Sequence, residues 1–544
     1  MSSSTFTIEA NIVDVLNRKI GFGHLFVENG LISEMIITEK AKENYPYILP
    51  GFIDAHIHIE SSMLTPPAFA KRAVMHGTVS TISDPHEIAN VCGIEGVRYM
   101  VNLGKQSGFK FYFGAPSCVP ATPFETAGST LPLSDINELF EEGDVKYLSE
   151  MMNYPAVLGR EPLVIDKIDL ALDFHFPVDG HAPGLKGKDA ALYASAGIST
   201  DHECFTLEEA LDKIEAGMHI IIREGSAAKN YNALHTLIRS HPNKVMFCSD
   251  DKHPDDLLRG HINQLVVRSL ELGYELLDVL MIACVNPVLH YQMNTGLLRN
   301  GDPADMILVE DLTSFKILST WLDGQMVFDG YDVKLPKVSI PVINSFGLHE
   351  FEKEELKLHL EAKNANIIVA INGAIITDHE KSMMDEGDFE GDVNRDILKI
   401  VVVNRYIKKP PAIALIRGFG LKRGALASSV AHDSHNIVAV GTNDEDLTWC
   451  IRDIIKHKGG VSASAGKEHH ILPLPIGGLM STGSAEEVGH AYEIIDHFVK
   501  STLESTLTSP FMTLSFMALL VIPSLKLSDK GLFDGSKFEF AALQ

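Results

Sequence analysis

The feature that most constrains the fold is a regular alternation of short apolar strands and helices between residues 50 and 290. Clear helix signals separate the strands: Thr65 followed by two prolines starts one helix that Gly77 ends, and the capping box beginning at Thr206 starts another. Eight strands are predicted, at residues 53–60, 78–84, 109–114, 145–150, 177–181, 197–202, 219–224 and 244–250. Eight strand–helix units over roughly 240 residues match the size of a (β/α)8 barrel of the TIM type. We therefore predict an α/β protein built around such a barrel.

The first of these strands carries histidines on one face. His56 and His58 alternate with the apolar Ile57 and Ile59. With the period of a strand, both imidazoles point to the same side and can reach one metal ion, while the isoleucines pack the other way. A lone His-x-His pair is equally compatible with a partly solvated strand, so residues elsewhere in the chain must decide.

Polar side chains also follow the later strands, at the point where each strand ends. They are Asp84 and His86 after the second strand, Glu150 at the fourth, His181 at the fifth, His202 at the sixth, Arg223 and Glu224 at the seventh, and Asp250 at the eighth. In a barrel, the carboxyl ends of the strands surround one mouth, so these residues should converge there. One histidine at a strand end is usually an ordinary hydrogen-bonded loop residue, but four histidines and two carboxylates in equivalent positions indicate a metal site.

The 544 residues are too many for one core and suggest two or three domains. The hairpin signal Asn29-Gly30 lies in an N-terminal strand region too short to bury a core alone. We predict a discontinuous small β-sandwich from residues 1–49 and 291–340, flanking the barrel at 50–290. Residues 345–544 return to strands and helices and are predicted to form a C-terminal α+β domain.

Composition limits the partners and the compartment. A net charge of −26 argues against nonspecific binding to nucleic acid or to an anionic membrane. Six scattered cysteines without a Cys-x-x-Cys pair argue against a disulfide framework or a zinc knuckle and fit a reducing compartment. The first residues lack a signal-peptide pattern, and the longest apolar run, at 511–525, is too short to span a bilayer. We expect a cytoplasmic homo-oligomer.

Several motifs resemble known proteins. Residues 50–58, Pro-Gly-Phe-Ile-Asp-Ala-His-Ile-His, resemble the first-strand signature of the amidohydrolase superfamily. Residues 60–66, 84–91, 249–257 and 260–263 resemble the adenine deaminase family, and the similarity extends over almost the whole chain. The resemblance implies hydrolysis of adenine to hypoxanthine and ammonia by a hydroxide that bridges two divalent metal ions, in purine salvage.

The resemblance also implies a ligand set. His56, His58 and Asp250 would hold one metal, and His181 and His202 the other. Glu150 would bridge the two, in the place of the carboxylated lysine that many relatives use, with a carboxylated Lys146 as the alternative bridge. Manganese or iron(II) is favoured by the family resemblance, and zinc also suits the mixed imidazole and carboxylate donors.

The reaction would need a proton carrier and a proton donor. Asp250 could take the proton of the attacking water and deliver it to the departing amine. Because addition at C6 of adenine places charge on ring nitrogen N1, a donor must face that atom. Glu87, Glu224 and His86 are candidates for this donor, and the sequence does not rank them.

Other interpretations stay open. A different amidohydrolase reaction, such as opening of a cyclic amide, predicts a lysine carbamate at the fourth strand, where this chain offers Glu150. A non-enzymatic scaffold would usually have lost a ligand. A separate question concerns the loop with His432, Asp433 and His435. It is either a surface loop bonded to its own backbone, or a loop that reaches the barrel mouth to close it or to hold an additional metal.

Overall fold

The computed structural model of the protein describes residues 5–544. Its centre is a parallel barrel of eight strands: Phe52–Ile57, Thr78–Ser83, Lys110–Phe113, Leu148–Met151, Val178–Gly180, Thr200–Asp201, His219–Arg223 and Val245–Cys248. Three parallel ladders account for most of the pairing. Single parallel bridges join the ladders, and the bridge between Ile57 and Asp250 closes the ring. The predicted (β/α)8 barrel is thus confirmed.

Helices follow the barrel strands around the outside. They are Pro66–Met75, His86–Cys92, Ile94–Ser107, Leu133–Glu142, Tyr154–Leu158, Pro162–Asp173, Gly187–Ser195, Leu207–Glu215, Tyr231–Leu234, Leu237–Ser240, Pro254–Arg259, Ile262–Glu271, Leu276–Leu280 and Asn286–His290, with 3-10 turns at Ile59–Ser62 and Pro242–Lys244 and a π-helical turn at Met281–Val285. The Thr206 hydroxyl accepts a hydrogen bond from the Glu209 backbone N–H, at 3.3 Å, as its position at a helix start predicts.

Strands from both sides of the barrel sequence form one sheet. Its seven strands, in spatial order, are Gln325–Phe328, Ile317–Leu322, Met306–Val309, Tyr47–Pro50, Phe6–Asp14, Lys19–Glu28 and Leu31–Lys40. The sheet folds over on itself: Leu31 bridges Pro303, and the Ile32 backbone N–H donates to the carbonyl oxygen of Asp302 at 2.8 Å. The two halves enclose an apolar cluster between them, as the predicted β-sandwich requires. Ile12 and Trp321 lie in the sheet's own apolar cluster, whereas Leu49 and Ile307 belong to the main core shared with the barrel.

A nine-stranded, mostly antiparallel sheet dominates the C-terminal part of the chain. Its strands are Thr377–Met383, Asn364–Ala370, Ala412–Arg417, Ile397–Val403, Ile437–Gly441, Ala425–Ser428, Gly460–Ala465 and Glu468–Pro473 in spatial order, with Gly391–Asp392 added against Ile397–Val403. Smaller strands lie at His359–Leu360, Gly387–Asp388, Leu525–Ser528, Gly531–Asp534 and Glu539–Phe540, and helices at Lys353–Leu356 (3-10), Asp444–His457, Ala485–Ser501 and Pro510–Phe516. Helix Pro510–Phe516 occupies the first part of the apolar run at 511–525.

The C-terminal part packs against the mouth of the barrel. The Ser481 backbone N–H donates to the carbonyl oxygen of Met63 at 2.8 Å, and the Asn436 side-chain amide donates to the carbonyl oxygen of Thr126 at 2.9 Å. The main apolar core includes residues of both parts. Within residues 5–544, no helix combines the length and the apolar character needed to cross a membrane.

Candidate metal centre

The six predicted metal ligands meet at the carboxyl end of the barrel. All are buried, with exposed fractions between 0% and 7%: His56, His58, Glu150, His181, His202 and Asp250. The Nε2 atoms of His56 and His58 lie 3.2 Å apart, and the Asp250 Oδ1 atom lies 3.6 Å and 3.2 Å from them. His58 has already left the strand and precedes a 3-10 turn, yet its ring still faces the same space as that of His56.

Glu150 occupies the middle of this cluster. Its Oε2 atom lies 2.7 Å from His181 Nδ1 and 3.1 Å from His202 Nε2, and its Oε1 atom lies 3.4 Å from His58 Nε2. Lys146 is exposed, and its ammonium lies 5.6 Å from the centre of the Phe176 ring. Only the glutamate therefore has a bridging position between the two histidine groups.

Charges set the protonation states of the two carboxylates. Burial would raise the pKa of Asp250, but the Arg223 guanidinium and the neighbouring imidazoles hold it well below its usual value. Burial would likewise raise the pKa of Glu150, but His181 and His202 hold it well below the ordinary range. Both carboxylates are therefore ionised at neutral pH and available as anionic ligands.

The donor set fits divalent cations. The side-chain atoms of three overlapping triads each lie within 4.8 Å of one another: His56 with His58 and Asp250, His56 with Glu150 and His202, and His181 with His202 and Glu203. Burial lowers the pKa of His181, yet the Glu203 and Glu150 carboxylates raise it to about 9. Histidines that bind a cation must first lose their extra proton. The bound cation then replaces the positive charge of the imidazolium beside the Glu203 and Glu150 carboxylates. Mixed nitrogen and oxygen donors suit manganese, iron or zinc.

Three further polar residues belong to the site, although sequence reasoning gave them no role. Asp84 lies with His58, His86 and Glu150 in one group of converging donor atoms. Arg223 contacts Asp250, and its Nη2 atom donates to the Oε2 atom of Glu203 at 3.0 Å. Asp84 and Arg223 already stood at strand ends in the sequence, and Glu203 could have been found by reading one residue past His202.

The three candidates for the proton donor separate in the structure. His86 and Glu87 line the cavity beside the cluster, and the Nδ1 atom of His86 lies 3.4 Å from Glu150. Glu224 faces away from this cavity, with its carboxylate 3.2 Å from Arg268 and 3.8 Å from Lys229. We therefore correct the prediction for Glu224, because its side chain leaves the seventh strand on the side of the helical layer.

The C-terminal loop with two histidines reaches the barrel mouth. His432 and His435 each contact a different oxygen atom of Glu87, and Asp433 lies 3.6 Å from the Nε2 atom of His86. All three loop side chains are buried. The structure thus favours a loop that reaches and closes the barrel mouth over a surface loop bonded to its own backbone.

Apolar residues from the C-terminal part form the opposite wall of the cavity. They are Ile375, Phe516 and Leu519. The Phe516 ring stacks on His432, with ring centres 5.5 Å apart and planes inclined by 23°. The barrel therefore supplies most of the ionic side chains of the cavity, while the C-terminal part supplies these apolar side chains together with His432 and Asp433.

Comparisons with known proteins agree with this arrangement. The family model described as "Amidohydrolase family" matches residues 47–327, and the one described as "Adenine deaminase C-terminal domain" matches residues 374–539. Adenine deaminase of Sulfurovum sp. is 51% identical over 534 residues, which cover 98% of each chain. The adenine deaminase of Salinibacter ruber is 49% identical over 540 residues, covering 99% of this chain and 98% of the relative.

A third relative shows the same agreement over nearly its full length. The adenine deaminase of Methanosarcina mazei is 48% identical over 547 residues, covering 98% of each chain. Both parts of the chain, the barrel with its buried donor cluster and the domain that covers its mouth, are thus matched together. The chain belongs to the amidohydrolase family and, within it, to the adenine deaminases.

Proposed function

We propose that this protein hydrolyses adenine to hypoxanthine and ammonia. The observation that carries the proposal is the buried cluster of four imidazoles and two carboxylates at the barrel mouth, in a cavity that Ile375, Phe516 and Leu519 also line. Support comes from the relatives named adenine deaminase, which match nearly the entire chain. The exposed position of Lys146 disfavours the alternative that needs a lysine carbamate.

The cluster divides into two sets of donors. His56, His58 and Asp250 would hold one divalent cation, His181 and His202 the other, and Glu150 would lie between them. Two such cations would supply Lewis acidity, which lowers the pKa of a bound water from about 15.7 toward neutrality. Manganese or iron(II) is our assignment, with zinc as the alternative.

Asp250 is placed to move the proton of the attacking water. Its Oδ1 atom faces His56 and His58, while its Oδ2 atom contacts Arg223, which fixes the carboxylate plane. An ionised, oriented carboxylate at this point accepts one proton from the water as the water oxygen bonds to C6, and delivers that proton to the amine as the bond from C6 to the amine breaks and ammonia leaves. The second proton of the water leaves as the C6 carbonyl forms and replaces the one that N1 receives. Both transfers take place in a buried volume, which strengthens every electrostatic interaction involved.

Glu87 is our assignment for the group that protonates N1 of the purine ring. Both of its carboxylate oxygens contact imidazoles of the C-terminal loop. Burial lowers the pKa of His432, but the Glu87 and Asp251 carboxylates outweigh this effect and raise that pKa to about 9. Burial would raise the pKa of Glu87, but His432, His435 and His86 hold it well below its ordinary value, so the proton of this network lies on His432 at neutral pH. Glu87 would relay that proton to the ring nitrogen. Glu87→Gln should lower kcat by about 10²-fold or more, the usual contribution of a general acid, and a variant with parental kcat would transfer the role to His86.

The proposed activity has a direct test. Metal-loaded protein is incubated with adenine, the ultraviolet spectrum is followed for conversion to hypoxanthine, and the released ammonia is measured. Loss of adenine with one ammonia per hypoxanthine supports the proposal. No spectral change and no ammonia with manganese or iron(II) bound would exclude it.

We also propose a cellular setting for the reaction. Hypoxanthine is a free base that purine salvage enzymes consume, so salvage is the pathway class that the product fits. The acidic composition supports a cytoplasmic protein that acts on a small molecule and not on nucleic acid. We infer a homo-oligomer, which light scattering of the purified protein would test.

A further inference from the structure

A second cavity lies behind the eighth barrel strand, between that strand and helix Ile262–Glu271. It has a volume of about 200 Å³ and includes none of the six proposed metal ligands in its lining. Charged side chains reach it from several elements: Lys229, Lys252, Arg268, Glu224 and Asp256. Lys252 and Ile262 lie in two of the motifs that resemble the adenine deaminases, and the proposed chemistry gives neither residue a role.

Lys252 is the unusual residue of this cavity. Only 6% of its surface is exposed, and its ammonium has neither a hydrogen-bond partner nor an ion-pair partner among residues 5–544. Burying an ammonium group without a partner is costly, so such groups are normally paired. The Nζ atom of Lys252 is not fully enclosed and opens onto this cavity, so a partner for it would bind there.

The carboxylates that line the cavity are already engaged by other cations. The Glu224 carboxylate lies 3.2 Å from Arg268 and 3.8 Å from Lys229. The Asp256 carboxylate accepts hydrogen bonds from Arg259 at 2.8 Å and from the Ser226 hydroxyl at 2.6 Å.

Three cations of the lining, Lys229, Lys252 and Arg268, face two carboxylates, and Lys252 is the cation that contacts neither of them. Asp256, Asp54 and Glu224 act on its charge only at longer range. An anion would balance it, whereas a cation would add to the imbalance.

Two further features favour an anion of small size. Helix Ile262–Glu271 begins at the cavity with Ile262 in the lining, so the backbone N–H groups of its first turn and the positive end of its dipole are nearby. The rim is open to solvent, because Lys229 and Gln264 are exposed. The volume exceeds several-fold the ~30 Å³ that one water occupies in the liquid, which leaves room for an ion and some of its hydration.

We propose that this cavity binds one small oxyanion, such as phosphate or sulfate, with Lys252 as its charged partner. The proposal concerns a site separate from the metal centre and does not depend on the activity proposed above. Because Lys252 follows Asp250 and Asp251 in the same loop, an anion held there also anchors the segment that carries Asp250.

The test compares sulfate binding to three proteins loaded with manganese. Isothermal titration and thermal melting are carried out with the parent, with Lys252→Met, and with Lys244→Met as the matched control. Lys244 is a half-buried lysine whose ammonium donates to the carbonyl oxygen of Gly217, and it does not line the cavity. Chloride at equal ionic strength measures the nonspecific salt effect, and phosphate and acetate arms show whether a tetrahedral oxyanion is preferred.

We expect the parent and Lys244→Met to bind one sulfate and to gain thermal stability from it. Lys252→Met should bind sulfate at least about tenfold more weakly, the lower limit for losing a hydrogen bond to a charged group. Equal affinity in Lys252→Met would place the anion at the metals or on the surface and overturn the proposal, as would the absence of binding by the parent.

A second measurement does not depend on a variant that folds. Crystals of the parent soaked in selenate should show an anomalous signal within hydrogen-bond distance of the Lys252 ammonium. A signal found only elsewhere, or none at all, would also overturn the proposal. Because no adenine is present in either experiment, these outcomes are independent of whether the protein is a deaminase.

Discussion

Asp250→Asn is the substitution that tests the proposed chemistry most directly. The change keeps the shape of the side chain but removes the charge and the basicity of an oxygen that lies 3.2 Å from His58 Nε2 and 3.6 Å from His56 Nε2. Loss of a general base costs about 10²–10⁴-fold in rate. A weakened cation site adds to that loss, so we expect kcat to fall by about 10³-fold or more, which corresponds to roughly 4 kcal/mol of transition-state stabilisation.

The fold should survive this change. Arg223 is buried and contacts Asp250, but it also holds Glu203 with its second amino group at 3.0 Å. The guanidinium therefore keeps one carboxylate partner. The decrease in the free energy of unfolding should stay below the roughly 3–5 kcal/mol that a buried charge without a partner costs. We expect a cooperative melt at a lower temperature, measured by circular dichroism.

The assay combines ammonia release, metal content and thermal melting on the same preparations. Glu224→Gln serves as the control, because Glu224 also ends a barrel strand but faces Arg268 and Lys229 outside the metal centre. The control should turn over adenine at a rate close to that of the parent. If Asp250→Asn keeps near-parental kcat while folded, or if the control loses activity to the same extent, the assigned role of Asp250 is wrong.

Three further predictions follow from the same geometry. Glu150→Gln should reduce the bound metal, measured by plasma mass spectrometry, because a neutral amide bridges two cations poorly; unchanged metal content would contradict the bridging position. Phe516→Ala should raise KM for adenine about fivefold with little change in kcat, since a stacked aromatic contact contributes roughly 0.5–1.5 kcal/mol. Phe538→Ala is the control, because Phe538 is exposed. If Phe516→Ala and the control have equal KM values, Phe516 does not contact the substrate. Treatment with a chelator should lower the melting temperature by several degrees and readdition of manganese should restore it, whereas identical melts would argue against a buried metal centre.

Much of the site could be predicted because local periodicity and barrel topology act together. The strand period places His56 and His58 on one side, and closure of a parallel barrel brings strand ends from distant positions in the chain to one mouth. The residues His181, His202 and Asp250 therefore converge wherever the barrel forms. Their position at strand ends was sufficient to predict that they converge, even though several strands are shorter than predicted.

Side-chain direction at the seventh strand could not be obtained in this way. Successive residues of a strand point to opposite faces, so an error of one position exchanges the inside and the outside of the barrel. Arg223 faces the metal centre and contacts Asp250, while its neighbour Glu224 faces the helical layer. The sequence by itself placed both at the mouth and could not tell them apart.

Sequence alone thus determined the alternation of strands and helices, the barrel it closes into and the donor residues at its mouth, because each depends on local patterns repeated along the chain. Tertiary structure decided what lies opposite those donors. The contacts of His432 and His435 with Glu87, and the position of Phe516 over the mouth, join residues more than 300 positions apart. Contacts of this kind depend on how separately folded layers pack against each other, and no local period encodes them.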